Sequence, residues 1–145
     1  MLIKPNHDIS IAEVVKVARL MENVELSSDV MERIQISYER KVQIASTGRP
    51  TYGINTGFGI FADQRIEPDE IEKLNRNLVI SHAVGIGRPL EQEVVRAAML
   101  IRAVTLAKGF SGVNPQIIQT LIEMLNKGVT PVIPSQGSLG SSGVS

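Results

Sequence analysis

Cysteine is absent from the 145-residue sequence, and several kinds of chemistry are absent with it. Without cysteine the chain forms no disulfide, no thiolate nucleophile and no cysteine-ligated zinc site. Its two histidines, His7 and His82, are far apart in the sequence and make a poor metal site by themselves. The sequence therefore predicts no bound metal.

An excess of charge is also lacking. Lysine and arginine together number 15, as do aspartate and glutamate, so the formal net charge is zero. Nucleic acids and anionic membranes attract proteins through a cationic excess, and we expect neither as a partner. Arg96 and Arg102 interrupt the richest apolar run, which stays short of a membrane-spanning helix. The first residues lack the apolar stretch of a signal peptide, so we expect a cytoplasmic protein.

The sequence does contain a nearly continuous helical pattern. Capping residues, apolar spacing and helix breakers predict five helices, one following the capping box Ser10–Glu13 and others over Asp29–Ala45, Pro68 to Ile80 or Ser81, Glu91–Lys108, and Asn114-Pro115 to about Asn126. Apolar residues surround most of the 91–108 helix, which indicates burial on several sides. Strand signals are sparse, since Val129–Ile133 is short and carries a proline. We predict an all-α fold, with residues 1–145 forming one domain or part of one and no linker before the C-terminal end.

Three loops carry more information than the helices. Residues 51–59 place three glycines around Tyr52, residues 77–87 place His82 between a helix and a glycine loop, and residues 131–143 are rich in glycine and serine. Taken singly, each has an ordinary explanation: a turn-rich connector, a helix-terminal histidine satisfied by nearby carbonyls, and a flexible linker. A Walker phosphate loop fits the first poorly, because no Gly-Lys-Ser/Thr follows.

The order of these motifs along the chain is more specific than any one of them. Tyr-Gly-x-Asn-Thr-Gly-Phe-Gly comes first, then Ser-His-Ala-x-Gly-x-Gly, then the segment Arg102–Gly112, and finally Gly-Ser-Leu-Gly-Ser-Ser-Gly. In this order and with these intervals, the sequence resembles the aromatic amino-acid ammonia-lyase family, in particular its histidine-specific members. The resemblance covers nearly the whole chain.

The resemblance implies a fumarase/aspartase-like helical fold and an enzyme that eliminates ammonia from an amino acid. The family's electrophile is methylidene-imidazolone, formed by cyclisation of three consecutive residues, and the matching positions here are Ser141, Ser142 and Gly143. In that cyclisation the nitrogen of Gly143 attacks the carbonyl carbon of Ser141, which a residue without Cβ allows most easily. Ser142 loses its hydroxyl as water.

The resemblance also implies roles for residues in the other two loops. Tyr52 matches the catalytic tyrosine that removes the β-proton of the substrate. Ser81 and His82 match the substrate-selectivity position, which is apolar in phenylalanine-type enzymes. A polar partner suits an imidazole substrate, because a site built around a hydrogen bond rejects analogues that lack it. Loop-shaping residues are expected at Gly53, Asn55, Gly57 and Gly59.

The chain departs from the family chiefly in its length. Family members are several times longer, and their active sites combine residues from different subunits of a homotetramer. We therefore expect a fragment that is inactive alone and has exposed apolar surface. We also expect Ser141–Gly143 to be unmodified, so that the measured mass equals the mass calculated from the sequence, without the decrease of two waters that cyclisation causes. Val104 and Asn114 stand where the family prefers asparagine and arginine, and Arg102 is interpreted as forming a structural or intersubunit ion pair.

Two alternatives stay open beside the favoured interpretation, in which the complete protein converts L-histidine to urocanate in histidine catabolism. In the first, the complete protein is a tyrosine or phenylalanine ammonia-lyase, or an aminomutase that re-adds ammonia at the β-carbon. In the second, the chain is a helical interaction domain whose Gly/Ser tail is only a linker.

Overall fold

The computed structural model of the protein describes residues 1–56, 66 and 68–137. Its helices are α1 (Ile11–Ala18), α2 (Ser28–Ser46), α3 (Pro68–His82), α4 (Gln92–Ala107) and α5 (Pro115–Asn126). Its strands are β1 (Leu2–Ile3), β2 (Glu25–Leu26), β3 (Ile86–Pro89) and β4 (Pro134–Gln136). The fold is mostly helical, as predicted.

All five predicted helices are present; α1 begins directly after Ser10 of the capping box, and the bounds of the other four helices lie within a residue or two of those predicted. Local caps explain this agreement. At the start of α1 the Ser10 hydroxyl accepts from the Glu13 backbone N–H at 3.3 Å, and the Glu13 carboxylate accepts from the Ser10 N–H at 2.9 Å. At the start of α5 the side chain of Asn114 accepts from the Gln116 N–H at 2.9 Å. Each cap satisfies an N–H that has no partner within its helix.

The strands of the described chain differ from the single candidate in the sequence. Val129–Ile133 forms no strand, and the strand begins just after it, at Pro134. β1 pairs with β2 in parallel, and β3 pairs with β4 in antiparallel fashion. Each of these strands has only two to four residues, too few for an alternating pattern to be recognised. They depend on a partner that is distant in sequence, which local patterns do not reveal.

The described residues divide into two compact units. The first unit comprises Met1–Arg40 and Leu90–Ile133, and the second comprises the described residues of Lys41–Pro89 and Pro134–Ser145. The interpretation of residues 1–145 as one domain, or part of one, stays a prediction.

The first unit contains the hydrophobic core, to which α1, α4 and α5 contribute. Helix α4 buries a stripe that covers roughly half of its circumference, counted at 100° per residue: Val95, Arg96, Met99, Leu100, Ala103, Val104 and Ala107. Outside this stripe, Val94 and Ile101 are 46% and 50% exposed. The predicted burial on several sides is therefore not reached among the described residues, whereas the expected exposed apolar surface is present.

Arg96 is a charged residue in this core, with only 1% of its surface exposed. Its guanidinium donates to the carbonyl of Val17 at 2.8 Å and to that of Leu125 at 2.9 Å, so it joins the last turns of α1 and α5. The last carbonyls of a helix lack intrahelical partners and carry partial negative charge, which a buried cation satisfies. Burial lowers the pKa of Arg96 below its ordinary value. The sequence alone indicates Arg96 only as an interruption of an apolar run.

The two departures from the family's preferred residues have structural explanations. Val104 is 5% exposed and belongs to the hydrophobic core, where an apolar side chain packs without needing a hydrogen-bond partner. Asn114 is the N-cap of α5, a role for which asparagine is among the favoured residues. Arg102 is exposed on α4 beside an apolar groove, and its intersubunit ion pair stays a prediction.

Candidate active site

The loop that carries Tyr52 is held in shape by Asn55, which is 6% exposed. The side-chain oxygen of Asn55 accepts from the Thr51 N–H at 2.7 Å, and its side-chain nitrogen donates to the Arg49 carbonyl at 3.0 Å. The backbone N–H of Asn55 also donates to the Thr51 carbonyl at 3.2 Å. One buried amide thus closes the loop on both sides of the tyrosine.

Gly53 occupies this loop because of its backbone conformation. Its φ is +76°, in the left-handed region that residues with a Cβ adopt at a cost. A Cβ added there would meet nothing within 4 Å, so space is not the constraint. Gly57 and Gly59, also expected to shape the loop, lie outside the described residues.

Tyr52 lies in the turn between Thr51 and Asn55 and is 65% exposed. The hydrogen bonds of Asn55 join the backbone before Tyr52 to Asn55 after it, so the loop that carries the tyrosine is closed by these bonds. The structure places Tyr52 in the second unit, together with Ser81 and His82.

His82 is the last residue of α3, as the sequence indicated for the end of a helix before a glycine loop. Its Nδ1 lies 2.7 Å from the Leu78 carbonyl oxygen, one turn earlier, and 3.0 Å from Ser81 Oγ. The Ser81 hydroxyl donates to the same carbonyl at 2.9 Å. The imidazole is half-buried and is anchored to its own helix through one ring nitrogen.

The glycines that follow His82 allow close approach of β4. An added Cβ would lie 3.0 Å from Pro134 Cγ at Gly85, and 2.9 Å from Ser135 Oγ at Gly87, where φ is +91°. In the β3–β4 ladder Ile86 pairs with Gln136, and Pro89 pairs with Pro134. The chain that follows His82 is therefore paired with the chain that leads towards the glycine–serine segment, and a side chain at either glycine would meet β4 closely.

Ser141, Ser142 and Gly143, the three residues of the expected electrophile, lie outside the described residues. β4 ends at Gln136, five positions before Ser141.

A cavity of about 360 Å³ lies within the second unit, between the C-terminal half of α2, the Tyr52 loop and α3. Its lining includes Lys41, Asn55, Thr56 and Asn75 together with apolar side chains such as Leu74. Tyr52 and His82 are not among the described residues that line it. The sequence offered no indication of this cavity, because its lining comes from four separate segments, the fourth being Ile66.

Within residues 1–56, 66 and 68–137, no group of three or more histidine, aspartate or glutamate residues could hold a metal ion. No helix in that same part of the chain is long and apolar enough to cross a membrane.

Residues 9–143 match the sequence model of the family described as aromatic amino acid lyase. The chain belongs to the aromatic amino acid lyase family. The match extends through the glycine–serine stretch, so this stretch is family sequence, which disfavours the alternative of an interaction domain with a linker tail. The enzymes of this family are carbon–nitrogen lyases.

Individual proteins show the same relationship. The chain is 48% identical to the histidine ammonia-lyase of Alkaliphilus metalliredigens over 137 residues, which are 94% of this chain and 27% of that enzyme. Its fold matches the phenylalanine aminomutase of Pantoea agglomerans with a TM-score of 0.89, at 33% identity over 96% of this chain and 27% of that one. The ergothioneine-degrading ergothionase of Treponema denticola gives a TM-score of 0.88, at 31% identity over 95% of this chain and 28% of that one.

The chain spans about a quarter of the length of these lyases and aminomutases. The family and the fold of this region are therefore shown, whereas the activity, substrate and assembly of the whole protein are proposals.

Proposed function

We propose that the protein containing this chain eliminates ammonia from L-histidine to give urocanate, with Tyr52 removing the β-proton. The observation that carries the choice of substrate is His82, a polar side chain anchored at the end of α3 through a 2.7 Å contact with the Leu78 carbonyl. A hydrogen-bonding group held in one place selects an imidazole over a phenyl ring, since the phenyl ring leaves it unpaired. Relatives named histidine ammonia-lyase support the same substrate.

The residues at 141–143 have the chemistry that a methylidene-imidazolone requires. Gly143 offers a backbone nitrogen without a neighbouring Cβ, Ser141 offers a carbonyl carbon, and Ser142 offers a hydroxyl that can leave as water. When formed, the group supplies the electrophile that the reaction needs. The β3–β4 ladder would restrain the chain that enters this segment, and restraint is what a strained backbone cyclisation requires.

Tyr52 suits the proposed role because of how it is presented. Asn55 closes the loop by hydrogen bonds to residues before Tyr52, while the tyrosine residue is 65% exposed. A base that must reach a bound substrate needs a rigid backbone and an accessible oxygen, and near-attack geometry is lost with small displacements. Gly53, and Gly57 and Gly59 by resemblance, would preserve the shape of this loop.

We also propose that the complete protein is a cytoplasmic homotetramer and that this chain alone is inactive. Apolar side chains on α4 and α5 support assembly, since Ile101 and Ile117 are 50% and 55% exposed in this chain. Contiguous exposed apolar surface is typical of regions that contact another chain or another part of the same protein.

Substrate selectivity of the full-length protein tests the proposal. Histidine, tyrosine and phenylalanine are offered separately, and release of ammonia and of each unsaturated acid is measured. We expect histidine to be the preferred substrate, and His82→Phe to lower kcat/KM for histidine by far more than that for phenylalanine.

Other outcomes of this experiment separate the alternatives. Equal losses for both substrates in His82→Phe would contradict the role of His82. A preference for tyrosine or phenylalanine in the unaltered protein would replace the histidine proposal, and a β-amino acid product would indicate an aminomutase, as in the Pantoea relative.

A further inference from the structure

The last turn of α3 contains a triangle of hydrogen-bonding atoms around His82. His82 Nδ1 lies 2.7 Å from the Leu78 carbonyl oxygen and 3.0 Å from Ser81 Oγ, and Ser81 Oγ lies 2.9 Å from the same carbonyl oxygen. Residues three and four apart are neighbours on a helix surface, so α3 by itself brings these three groups together.

The chemistry of these atoms decides where the hydrogens lie. A carbonyl oxygen is only an acceptor, and a bare ring nitrogen at 2.7 Å would direct its lone pair at the lone pairs of that oxygen. Nδ1 therefore carries a hydrogen and donates it to Leu78. The Ser81 hydroxyl donates its one hydrogen to the same oxygen and presents a lone pair to Nδ1.

The other ring nitrogen follows from this assignment. A neutral imidazole has one N–H, so a ring protonated at Nδ1 has an unprotonated Nε2 that can only accept a hydrogen bond. With Nδ1 engaged by its own helix, Nε2 is the atom of His82 that remains for recognising a substrate.

We propose that Ser81 is a positioning residue that acts with the Leu78 carbonyl to hold neutral His82 in the tautomer protonated at Nδ1. This inference deepens the proposed function and rests on it for the claim that His82 faces the substrate. Nε2 of His82 then accepts a hydrogen bond from the substrate. The site therefore takes amino acids whose side chain carries an N–H or O–H and disfavours those with a plain phenyl ring. Ser81 acts through His82 and not on the substrate itself.

Ring-nitrogen NMR spectra of the ¹⁵N-labelled 145-residue chain test the tautomer. The chain has two histidines, so the variant His7→Gln leaves His82 as the only signal. At a pH where imidazole is neutral, we expect Nδ1 of His82 to have the chemical shift and one-bond coupling of a protonated nitrogen, and Nε2 those of an unprotonated one. A ring protonated at Nε2, or one averaging between both forms, would overturn the proposal.

Two substitutions of Ser81 test its part in the triangle. Ser81 is exposed and alanine favours helices, so Ser81→Ala should leave α3 intact. We expect it to lower the ratio of the two tautomers by about fivefold, the loss of one hydrogen bond, while Ser81→Thr, which keeps the hydroxyl, restores the ratio. An unchanged ratio in Ser81→Ala, or a threonine variant that behaves like alanine, would refute the positioning role.

The proposed tautomer and the proposed function can be refuted independently. The ring nitrogens are observed without turnover, so a full-length protein that leaves histidine untouched would refute the proposed function alone. Turnover of histidine by a protein whose His82 is protonated at Nε2 would refute the tautomer alone.

Discussion

The two compact units use polar side chains for different purposes. In the first unit, Arg96 lies inside the hydrophobic core and joins the ends of two helices. In the second unit, Asn55 closes the loop around Tyr52, and the Leu78 carbonyl anchors His82. The first set holds helices to one another, whereas the second holds in place the two side chains that we propose to meet the substrate. Stability and activity should therefore respond to different substitutions.

The largest difference between an effect on activity and an effect on stability is expected at Tyr52. In the full-length protein, Tyr52→Phe should lower kcat by about 10³-fold or more, because it removes the proposed base. The free energy of unfolding should stay close to that of the unaltered protein, since the side chain is 65% exposed. Steady-state kinetics and urea denaturation measure the two quantities, and near-normal turnover would contradict the assignment of Tyr52.

At Arg96 we expect a substitution to lower the stability of the folded chain. Arg96→Met leaves the carbonyls of Val17 and Leu125 without their buried donor, and we expect the free energy of unfolding to fall by about 2–4 kcal/mol. Arg102→Met is the matched control, because Arg102 is exposed on the same helix, and it should change stability by no more than about 0.5 kcal/mol. Equal effects in urea denaturation of the two variants would show that the Arg96 contacts contribute little.

A smaller effect is expected where the second unit packs its strands. Gly87→Ala combines a left-handed backbone with a Cβ only 2.9 Å from Ser135 Oγ, whereas Gly53→Ala has the backbone conformation without a close contact. We expect thermal unfolding to show a loss of about 2–3 kcal/mol for Gly87→Ala and about 1–2 kcal/mol for Gly53→Ala.

The difference between these two variants isolates the contact with β4. Adding Ser135→Ala to Gly87→Ala removes the nearest atom and should recover part of the lost stability. No recovery would mean that the backbone conformation accounts for the whole effect.

The smallest effect is expected at the start of α1. The Ser10 hydroxyl and backbone N–H hold the pKa of Glu13 below its usual value, and His7, 3.0 Å from Glu13 Oε1, acts in the same direction. The ionised carboxylate therefore stabilises the folded chain above pH 4.5, the ordinary Glu value, and this contribution is lost as the pH falls through the lowered pKa.

Carboxyl NMR titration of the chain and of Ser10→Ala checks this pH dependence. We expect the Glu13 titration to move to higher pH in the variant, towards the ordinary Glu value, and the part of the pH dependence of stability that Glu13 contributes to become smaller. Identical titration curves would show that the capping box does not determine the pKa of Glu13.

Much of the fold could be predicted because its signals are local. Ser10 with Glu13, Asn114 with Pro115, and the glycine–proline pair after α2 each mark a helix end through atoms only a few residues apart. The candidate site was predicted by resemblance, and the structure describes the surroundings of Tyr52, Ser81 and His82. The roles of these residues, and those of Ser141, Ser142 and Gly143, stay predictions for the full-length protein.

The missed features all involve partners that are distant in sequence. The strand β4, which follows Ile133, exists because it pairs with β3, and the residues next to β4 in the sequence give no sign of this pairing. Arg96 looked like an interruption of an apolar helix, since its hydrogen-bond partners lie 29 and 79 residues away.

The amino-acid sequence by itself determined where the helices begin and end, which residues the loops between them offer, and the family to which the chain belongs. Only the tertiary structure decided that an arginine could be buried and that Gly85 and Gly87 face β4. The physical reason is the range of the interactions: caps, turns and contacts within one helix act within a few residues, whereas burial and close packing depend on which groups the fold brings into contact.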